Sequence, residues 1–437
     1  MRTHKRTISI KTILGGVLAA LFFVAISTHS LMAQSVAFQE FSGEVLDERT
    51  KDPLVFASLT VENTNISTIT NTEGEFLLKV PANAENRNIV VSFLGYSSLT
   101  VALSDLEERD NKIYLKEAVT QLAEVNLNIP KDAKQLVRET LAKRGDNYLT
   151  DNTVMTAFYR ETIKKRKRNV SLSEAVVNIY KTPYTSNKRD AVKLYKARKS
   201  TDYTKLDTVA LKLQGGPFNA LFVDIVKYPD FIFTEDVLDY YHFTFDGSTR
   251  VNDKLIYIVN FAQKADILDP LYTGKLYIDA ENKILTRAQY ALNITDRDLA
   301  AQMFVRKKPS NADVWPTEIA YRVDYRERDG KWHYGYSNVL LEFKINWDKK
   351  LFNSIYSMNC EMAVTDWEKN AENSVPKYKD RMRSTIILGD EAIGFADPDF
   401  WGEYNIIEPE KSIESAIKKI QRQLRRNKDE SSGAAAR

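Results

Sequence analysis

The side chains that could carry out catalysis or hold a metal ion are few in this sequence. The chain of 437 residues has four histidines, of which only His242 and His333 lie beyond the first 33 residues. A zinc peptidase needs histidine and glutamate ligands on one site, and neither histidine begins an H-x-x-E or H-E-x-x-H pattern. A zinc peptidase is therefore excluded. A hydrolase built around one of these histidines stays open, without an indicated substrate.

Other catalytic and cofactor motifs are missing from the sequence. It contains no G-x-S-x-G nucleophile elbow, no G-x-x-x-x-G-K-[ST] phosphate loop and no G-x-G-x-x-G fingerprint. Gly215 and Gly216 before a proline indicate a tight turn, and Asp397 with Asp399 indicates acidic residues before a helix rather than a calcium site. We assign no catalytic, cofactor-binding or metal-ligating residue, and we expect no cofactor and no enzymatic activity.

The composition is that of an ordinary globular protein, with 43% apolar and 28% charged residues. The length predicts two or three domains. The net charge of +3 arises from four basic residues in the leader, without which basic and acidic residues nearly balance, so nucleic-acid binding is not indicated. Cys360 is the single cysteine. It cannot form an intramolecular disulfide, and we expect it to be a small buried hydrophobe.

Residues 1–33 have the pattern of a cleaved secretory signal peptide. A basic start precedes the apolar run 13–26, which as a helix is about 21 Å long, too short for the roughly 30 Å of a bilayer core. We place the cleavage after Ala33, with Ala37 as the fallback. No cysteine lies near this junction, so the chain is not a lipoprotein. The sequence predicts export to the periplasm or the outer membrane, with no transmembrane span after cleavage.

Residues 40–116 predict a small β-sandwich. Short runs that alternate apolar with polar residues recur about every ten residues and end in turn residues; Phe76, Leu78 and Val80, for example, fall on one face. Seven such strands predict a seven-stranded sandwich. Residues 117–152 follow as a connector with one helix, for which Asp132 is the predicted N-cap.

The turns of this sandwich, together with its strands, resemble the carboxypeptidase-like regulatory domain. The resemblance rests on Gly43, Val45, Asp47, Thr50, Pro53, Leu54, Ala57, Thr70, Asn71, Gly74, Phe76, Val80, Pro81 and segment 91–96. It implies a transthyretin-type β-sandwich, of the kind placed at the mature N-terminus of envelope proteins and TonB-dependent receptors. That domain is the non-catalytic partner of zinc carboxypeptidases, so the resemblance implies no activity of its own.

Residues 153–395 predict a larger antiparallel β domain with few helices. Residues 341–347 form its strongest alternating run, and Asp329-Gly330 predicts a hairpin turn. The basic run 164–168 lies between two strands and indicates a solvated hairpin tip rather than a nucleic-acid contact. We expect one face of the sheet to be wet and the other apolar. The apolar face must be covered, and segments 218–226 and 299–305 are the main candidates for helices that cover it. With so little helical cover, one form of this sheet is a curved half-barrel that holds a ligand on its apolar face.

The whole C-terminal part resembles a family of regulatory-domain-containing envelope proteins that offers no catalytic residues to carry over. The resemblance rests on segments 147–148, 158–161, 174–177, 215–217, 272–279 and 400–405. Segment 272–279 is weakly similar to strands of lipoprotein-carrier folds. Residues 396–437 predict a basic amphipathic helix, docked on the sheet by a stripe that includes Ile413 and Ile417 or in contact with anionic lipid, and a frayed tail.

These observations predict a secreted, non-enzymatic envelope protein. The sandwich is its docking module, the large sheet is a binding or scaffolding surface, and envelope or outer-membrane proteins are the expected partners. The first alternative is a carrier that holds lipid or another hydrophobic ligand on the apolar face of a curved sheet. The second alternative is the hydrolase at His242 or His333.

Overall fold

The computed structural model describes residues 38–84, 86–118, 132–166, 168–201, 213–251, 254–348, 351–391, 393–394 and 400–410. In this part the chain is mainly β, which confirms the predicted fold class. The predicted signal peptide, the Asp397 and Asp399 pair and the C-terminal amphipathic helix lie outside the described residues. The domain boundaries at residues 116, 152 and 395 stay predictions.

The N-terminal region is the predicted seven-stranded sandwich. Its strands are β1 (Phe38–Asp47), β2 (Ser58–Val61), β3 (Ser67–Ile69), β4 (Glu75–Pro81), β5 (Asn88–Ser92), β6 (Leu99–Ala102) and β7 (Asn111–Leu115). They form two sheets, in the orders β4-β1-β7 and β3-β2-β5-β6. Leu59, Phe76 and Val91 belong to the core that the two sheets share. All three residues of β3 are buried, so this strand does not alternate between buried and exposed residues.

The turns behind the family resemblance have clear structural roles. The Asp47 carboxylate accepts hydrogen bonds from the Thr50 N–H at 2.6 Å and from the Tyr96 hydroxyl at 2.7 Å. These bonds lower the pKa of Asp47 to about 2. Gly74 has a φ of 75°, and a Cβ there would lie 2.7 Å from Cβ of Pro53. Glycine therefore permits both the positive φ and the close approach of the two turns.

The large domain is an open antiparallel sheet with one short parallel edge. Its strands are β8 (Thr153–Lys165), β9 (Arg168–Lys181), β10 (Ala191–Thr201), β11 (Tyr241–Val251), β12 (Lys254–Gln263), β13 (Tyr272–Asp279), β14 (Ile284–Leu292), β15 (Ala312–Arg328), β16 (Lys331–Trp347), β17 (Ser354–Lys369) and β18 (Ile393–Gly394). The order is β11-β12-β13-β14-β15-β16-β17-β8-β9-β10-β18, and β18 pairs parallel to β10. The predicted turn at Asp329 and Gly330 is confirmed, with φ angles of 52° and 75°, as a two-residue hairpin requires.

The helices of the described part are short. They are α1 (Ala133–Ala142), α2 (Arg144–Asn147), α3 (Pro217–Leu221), α4 (Glu235–Leu238), α5 (Arg297–Phe304) and α6 (Leu388–Glu391). Asp132 caps α1 as predicted, since its carboxylate accepts from the N–H groups of Lys134 and Gln135. The predicted helix 218–226 is wrong beyond Leu221, where the chain turns and directs Asp224 toward Lys181. None of the helices described has the length and apolar character needed to cross a membrane.

Both faces of the large sheet are covered over its central strands. Tyr159 and Val177 belong to the core that also contains residues of α1, α3 and the segment after α3. Their neighbours Phe158 and Val176 point to the opposite face and pack with Ile69 of the sandwich and with residues of segment 400–410. The expectation of one wet face is therefore wrong in this region, because the sandwich docks there.

Candidate ligand-binding groove

The structure does not bring the two histidines together. His242 is exposed on β11, and His333 is buried on β16, five strands away in the sheet order, which corresponds to about 24 Å. Burial and the nearby Arg326 lower the pKa of His333 to about 3, so its imidazole is neutral at physiological pH. The His333 ring lies 5.2 Å from that of Trp367.

Cys360, Gly215 and Gly216 occupy positions that the fold explains without a catalytic role. Cys360 is buried, as predicted, and burial raises the pKa of its thiol. Gly215 and Gly216 have positive φ angles in the turn before α3. Among the residues that the structure describes, no three His, Cys, Asp or Glu side chains form a group that could hold a metal ion.

A cavity of about 300 Å³ lies between the sandwich and the sheet face that it covers. We call this cavity the sandwich–sheet groove. The sandwich contributes residues of β2, β3, β5 and nearby loops, and the sheet contributes residues of β14, β15 and β16. The aromatic and apolar part of the wall includes Phe56, Ile69, Phe93, Trp332 and Tyr336. The volume is at the lower end of the range for small-molecule sites.

Phe56 forms part of this wall in an uncommon backbone conformation. Its φ is 62°, which is unfavourable for a bulky L-residue and persists only where surrounding contacts enforce it. The Phe56 ring stacks on that of Tyr336 with 5.0 Å between the centroids. The Arg322 guanidinium lies 4.8 Å from the same Phe56 ring. The bend before β2 thus directs an aromatic ring of the sandwich onto the sheet.

Charged side chains of both signs line the groove, among them Arg287, Asp324 and Arg326. Arg287 and Arg322 both donate hydrogen bonds to the Asp324 carboxylate. Arg326 donates to the Val364 carbonyl at 3.1 Å and to a sandwich hydroxyl. The Nη2 atoms of Arg322 and Arg326 are buried without a hydrogen-bond partner. Burial lowers the pKa of Arg326 to about 10. Burial, aided by Arg322, also lowers the pKa of Arg287, so the site disfavours this much positive charge.

Direct hydrogen bonds fix the sandwich to the sheet beside the groove. The Ser67 hydroxyl donates to the Val364 carbonyl at 3.1 Å, and Arg328 donates to the Thr64 carbonyl at 2.8 Å. The Asn65 amide donates to the carbonyl of Trp367 at 2.5 Å. These bonds join β3 and the loop before it to β15 and β17. The two walls of the groove therefore have a defined separation.

Segment 400–410, which we call the strap, lies between the sandwich and the sheet. Its Trp401 ring packs edge-on against Phe158, with 5.4 Å between centroids. Thr68 of the sandwich donates a hydrogen bond to the Ile406 carbonyl at 3.2 Å. Trp401 and Ile406 are buried. The strap therefore contributes to the core that joins the two sheet systems.

Arg160 anchors the strap from the sheet side. It is 1% exposed and forms ion pairs with Glu174 at 2.7 Å and Glu361 at 3.2 Å. It also donates to the Ile407 carbonyl of the strap at 2.8 Å. Three of the six segments on which the second resemblance rests, 158–161, 174–177 and 400–405, thus meet at a structural joint and not in the groove.

A second buried charge cluster lies on the helix-covered side of the sheet. The Lys181 ammonium is 3.1 Å from the Asp190 carboxylate and 2.8 Å from that of Asp224. The hydroxyls of Tyr184 and Tyr325 each donate to Asp224 at 3.0 Å. The charges of this cluster are paired within the chain. It therefore stabilises the attachment of the segment after α3, and it offers no group for a ligand.

Comparisons with known proteins agree with the sandwich assignment. Residues 41–127 match the family model of the CarboxypepD_reg-like domain. A comparison with curated proteins gave no significant match. The predicted regulatory domain is thereby confirmed for this part of the chain.

Solved structures with low similarity cover a little over half of the chain. A DUF1329 family protein from Desulfovibrio piger has 11% identity over 55% of this chain and 95% of its own, with a TM-score of 0.22. A putative outer membrane lipoprotein-sorting protein domain from Vibrio parahaemolyticus has 8% identity over 57% and 95%, with a TM-score of 0.24. A LolA superfamily protein from Nitrosomonas europaea has 7% identity over 57% and 99%, with a TM-score of 0.22. TM-scores at this level do not establish a shared fold.

Proposed function

We propose, on the premise that residues 41–127 are a CarboxypepD_reg-like domain, that the chain is a non-enzymatic cell-envelope protein that binds a hydrophobic or amphipathic ligand. Lipid is the leading ligand class. The observation that carries the proposal is the sandwich–sheet groove, a cavity of about 300 Å³ with an aromatic wall. Polar and charged side chains complete the lining, and a cavity that combines apolar and convergent polar groups is typical of small-molecule sites.

We place the ligand between the large sheet and the sandwich. The carrier alternative from the sequence placed it on the open apolar face of a curved sheet. The helix-covered face is filled by its own buried side chains, among them Leu136, Leu221 and Tyr334. The groove lies on the sandwich-covered face, where Tyr336 of the sheet packs with Phe56 and Ile69 of the sandwich. A ligand there contacts both bodies at once, which gives the sandwich a part in binding.

In this proposal the sandwich docks onto the large sheet of its own chain. The strand pair β2 and β5 supplies Ser58, Thr60, Val90 and Ser92 to the groove, so this side of the sandwich faces the chain's own sheet. Envelope partners, export and the lack of enzymatic activity stay predictions from the sequence. The hydrolase alternative at His242 and His333 has a direct test, because it requires that alanine at both positions abolish an activity that the wild type shows.

Native mass spectrometry of the full chain purified from cell envelopes tests the proposal. We expect a bound small molecule that organic solvent extracts. Octanol, titrated by calorimetry into the delipidated protein, should bind to the wild type. Ser92→Trp places an indole in the groove and should abolish octanol binding. Thr100→Trp is the matched control, because Thr100 is exposed on β6, and should bind octanol as the wild type does. Equal binding by Ser92→Trp, or none by the wild type, contradicts the proposal.

A further inference from the structure

We infer that the ligand of the sandwich–sheet groove carries an anionic head group, a carboxylate or a phosphate, on an apolar body. This inference rests on the proposed function and names the ligand class of the same site. Arg326 and Arg287 of the groove wall bind the head group. Phe56 and Phe93, which line the same cavity, contact the apolar body.

The charge balance of the sheet wall carries the first step. Three guanidinium groups, those of Arg287, Arg322 and Arg326, lie around the single carboxylate of Asp324, which pairs with two of them. Two further carboxylates line the groove: Glu327, which is paired with Lys254 at 2.8 Å, and Glu62, which accepts a hydrogen bond from Asn88 at 2.9 Å. Buried charges are tolerated when an opposite charge compensates them. Asp324 compensates Arg287 and Arg322 directly, and an anionic ligand beside Arg326 supplies that guanidinium with a counterion.

The unpaired N–H groups carry the second step. Nη2 of Arg326 and Nη2 of Arg322 are buried and have no hydrogen-bond partner, whereas Nη1 of Arg326 is fixed by the Val364 carbonyl and the Ser67 hydroxyl. Buried donors are nearly always paired in folded proteins. A guanidinium presents its donors in a planar fork that matches a carboxylate or a phosphate. The Arg326 side chain is thus held in place with donor capacity unused.

The backbone around Arg326 makes room for this arrangement. The register of β15 and β16 shifts between Asp324 and Tyr325, and Gly335 falls within that irregularity. A Cβ at Gly335 would lie 2.7 Å from Cγ and 3.0 Å from Cδ of Arg326. Bulges re-aim side chains and occur next to binding sites. The bulge and the glycine together set the path of the Arg326 side chain along the groove wall.

Three probes of the full chain test the inference by calorimetry at pH 7 and low salt: octanoate, octanol and inorganic phosphate. Octanoate and octanol have the same apolar chain, so their ratio of affinities isolates the head group. We expect octanoate to bind about tenfold more tightly than octanol, as a charge-assisted hydrogen bond in a buried site implies. Inorganic phosphate alone should bind more weakly than octanoate, because it has no apolar body.

Two variants locate the head group. Arg326→Gln removes the charge and should weaken octanoate about tenfold while leaving octanol unchanged. Arg109→Gln removes an exposed charge outside the groove and should leave both affinities unchanged. Thermal unfolding checks that each variant folds. The preference of the wild type for octanoate over octanol is measured without any variant.

The outcomes separate the inference from the proposed function. Equal affinities of the wild type for octanoate and octanol overturn the inference and leave the proposed function standing. Phosphate binding as tight as that of octanoate overturns the amphipathic ligand in favour of a free anion. If the wild type binds neither octanol nor octanoate, both the inference and the proposed function are overturned. An octanoate affinity unchanged in folded Arg326→Gln removes Arg326 from the site.

Discussion

Lys79 and Asn405, 326 residues apart in the sequence, exchange two hydrogen bonds. The backbone N–H of Lys79 donates to Oδ1 of Asn405 at 2.7 Å, and Nδ2 of Asn405 donates to the Lys79 carbonyl at 2.9 Å. Lys79 lies on β4, an edge strand of its sheet. The side-chain amide of the strap therefore pairs with this edge as a neighbouring strand would, and it satisfies backbone groups that an open edge leaves unpaired.

Asn405→Ala should weaken the attachment of the sandwich. The substitution removes two buried hydrogen bonds between the Asn405 side chain and the Lys79 backbone, which lowers the free energy of unfolding by about 2 kcal/mol. Urea unfolding measures this loss, and hydrogen exchange should show faster exchange of the Lys79 amide. Asn86→Ala is the control, because Asn86 is exposed. Equal stability of the two variants would show that the pairing contributes little.

Glu161→Gln should change how stability depends on pH. Burial raises the pKa of Glu161 to about 7, although hydrogen bonds from Tyr159 and Ser173 lower it in part. Between about pH 4.5 and 7 the folded state binds a proton that the unfolded state has lost, so this group's contribution to stability decreases as pH rises. The decrease is about 1.4 kcal/mol per pH unit at its steepest. Glutamine mimics the protonated form and removes it.

The measurement is the free energy of unfolding at pH 5, 6, 7 and 8. We expect the advantage of Glu161→Gln over the wild type to grow from pH 5 to 7 and to level off by pH 8. His333, whose lowered pKa is about 3, contributes a slope of opposite sign below about pH 6.5, but it does so in both proteins and cancels in the difference. A difference that is constant with pH would mean that Glu161 is ionised in the folded state.

Lys181→Met should destabilise the protein strongly. It leaves the carboxylates of Asp190 and Asp224 buried without their shared cation, and breaking a buried ion pair from one side costs about 3–5 kcal/mol. Thermal and urea unfolding measure the loss. Lys193→Met is the matched control, because Lys193 is exposed on the neighbouring strand β10. Similar stability of both variants would contradict the structural role of the cluster.

Local features of the fold follow from the sequence, and the docking of the sandwich does not follow from them. The Asp132 cap and the Asp329-Gly330 turn depend on adjacent residues, so their residue types are sufficient to predict them. The continuous apolar run Ala175, Val176 and Val177 indicates that both faces of the sheet are covered there, because a strand buried on both faces loses its alternation.

The groove had no such signal. Its aromatic wall comes from residues as distant in sequence as Phe56 and Trp332, and its charge comes from Arg287 and Arg326 on different strands. Each arginine alone is typical of a solvated strand face. Only the tertiary structure shows that the sandwich buries them together, so a search for local motifs finds no binding site in this chain.

The position of the strap in the sequence sets when its contacts can form during biosynthesis. N-terminal domains generally fold first as a chain is made, and the sandwich needs only residues 38–115 for its seven strands. The contacts of Asn405 and Ile407 with β4 and Arg160 must wait until almost the whole sheet has been synthesised. The strap can therefore join the sandwich to the sheet only after strands β8 to β17 have been synthesised.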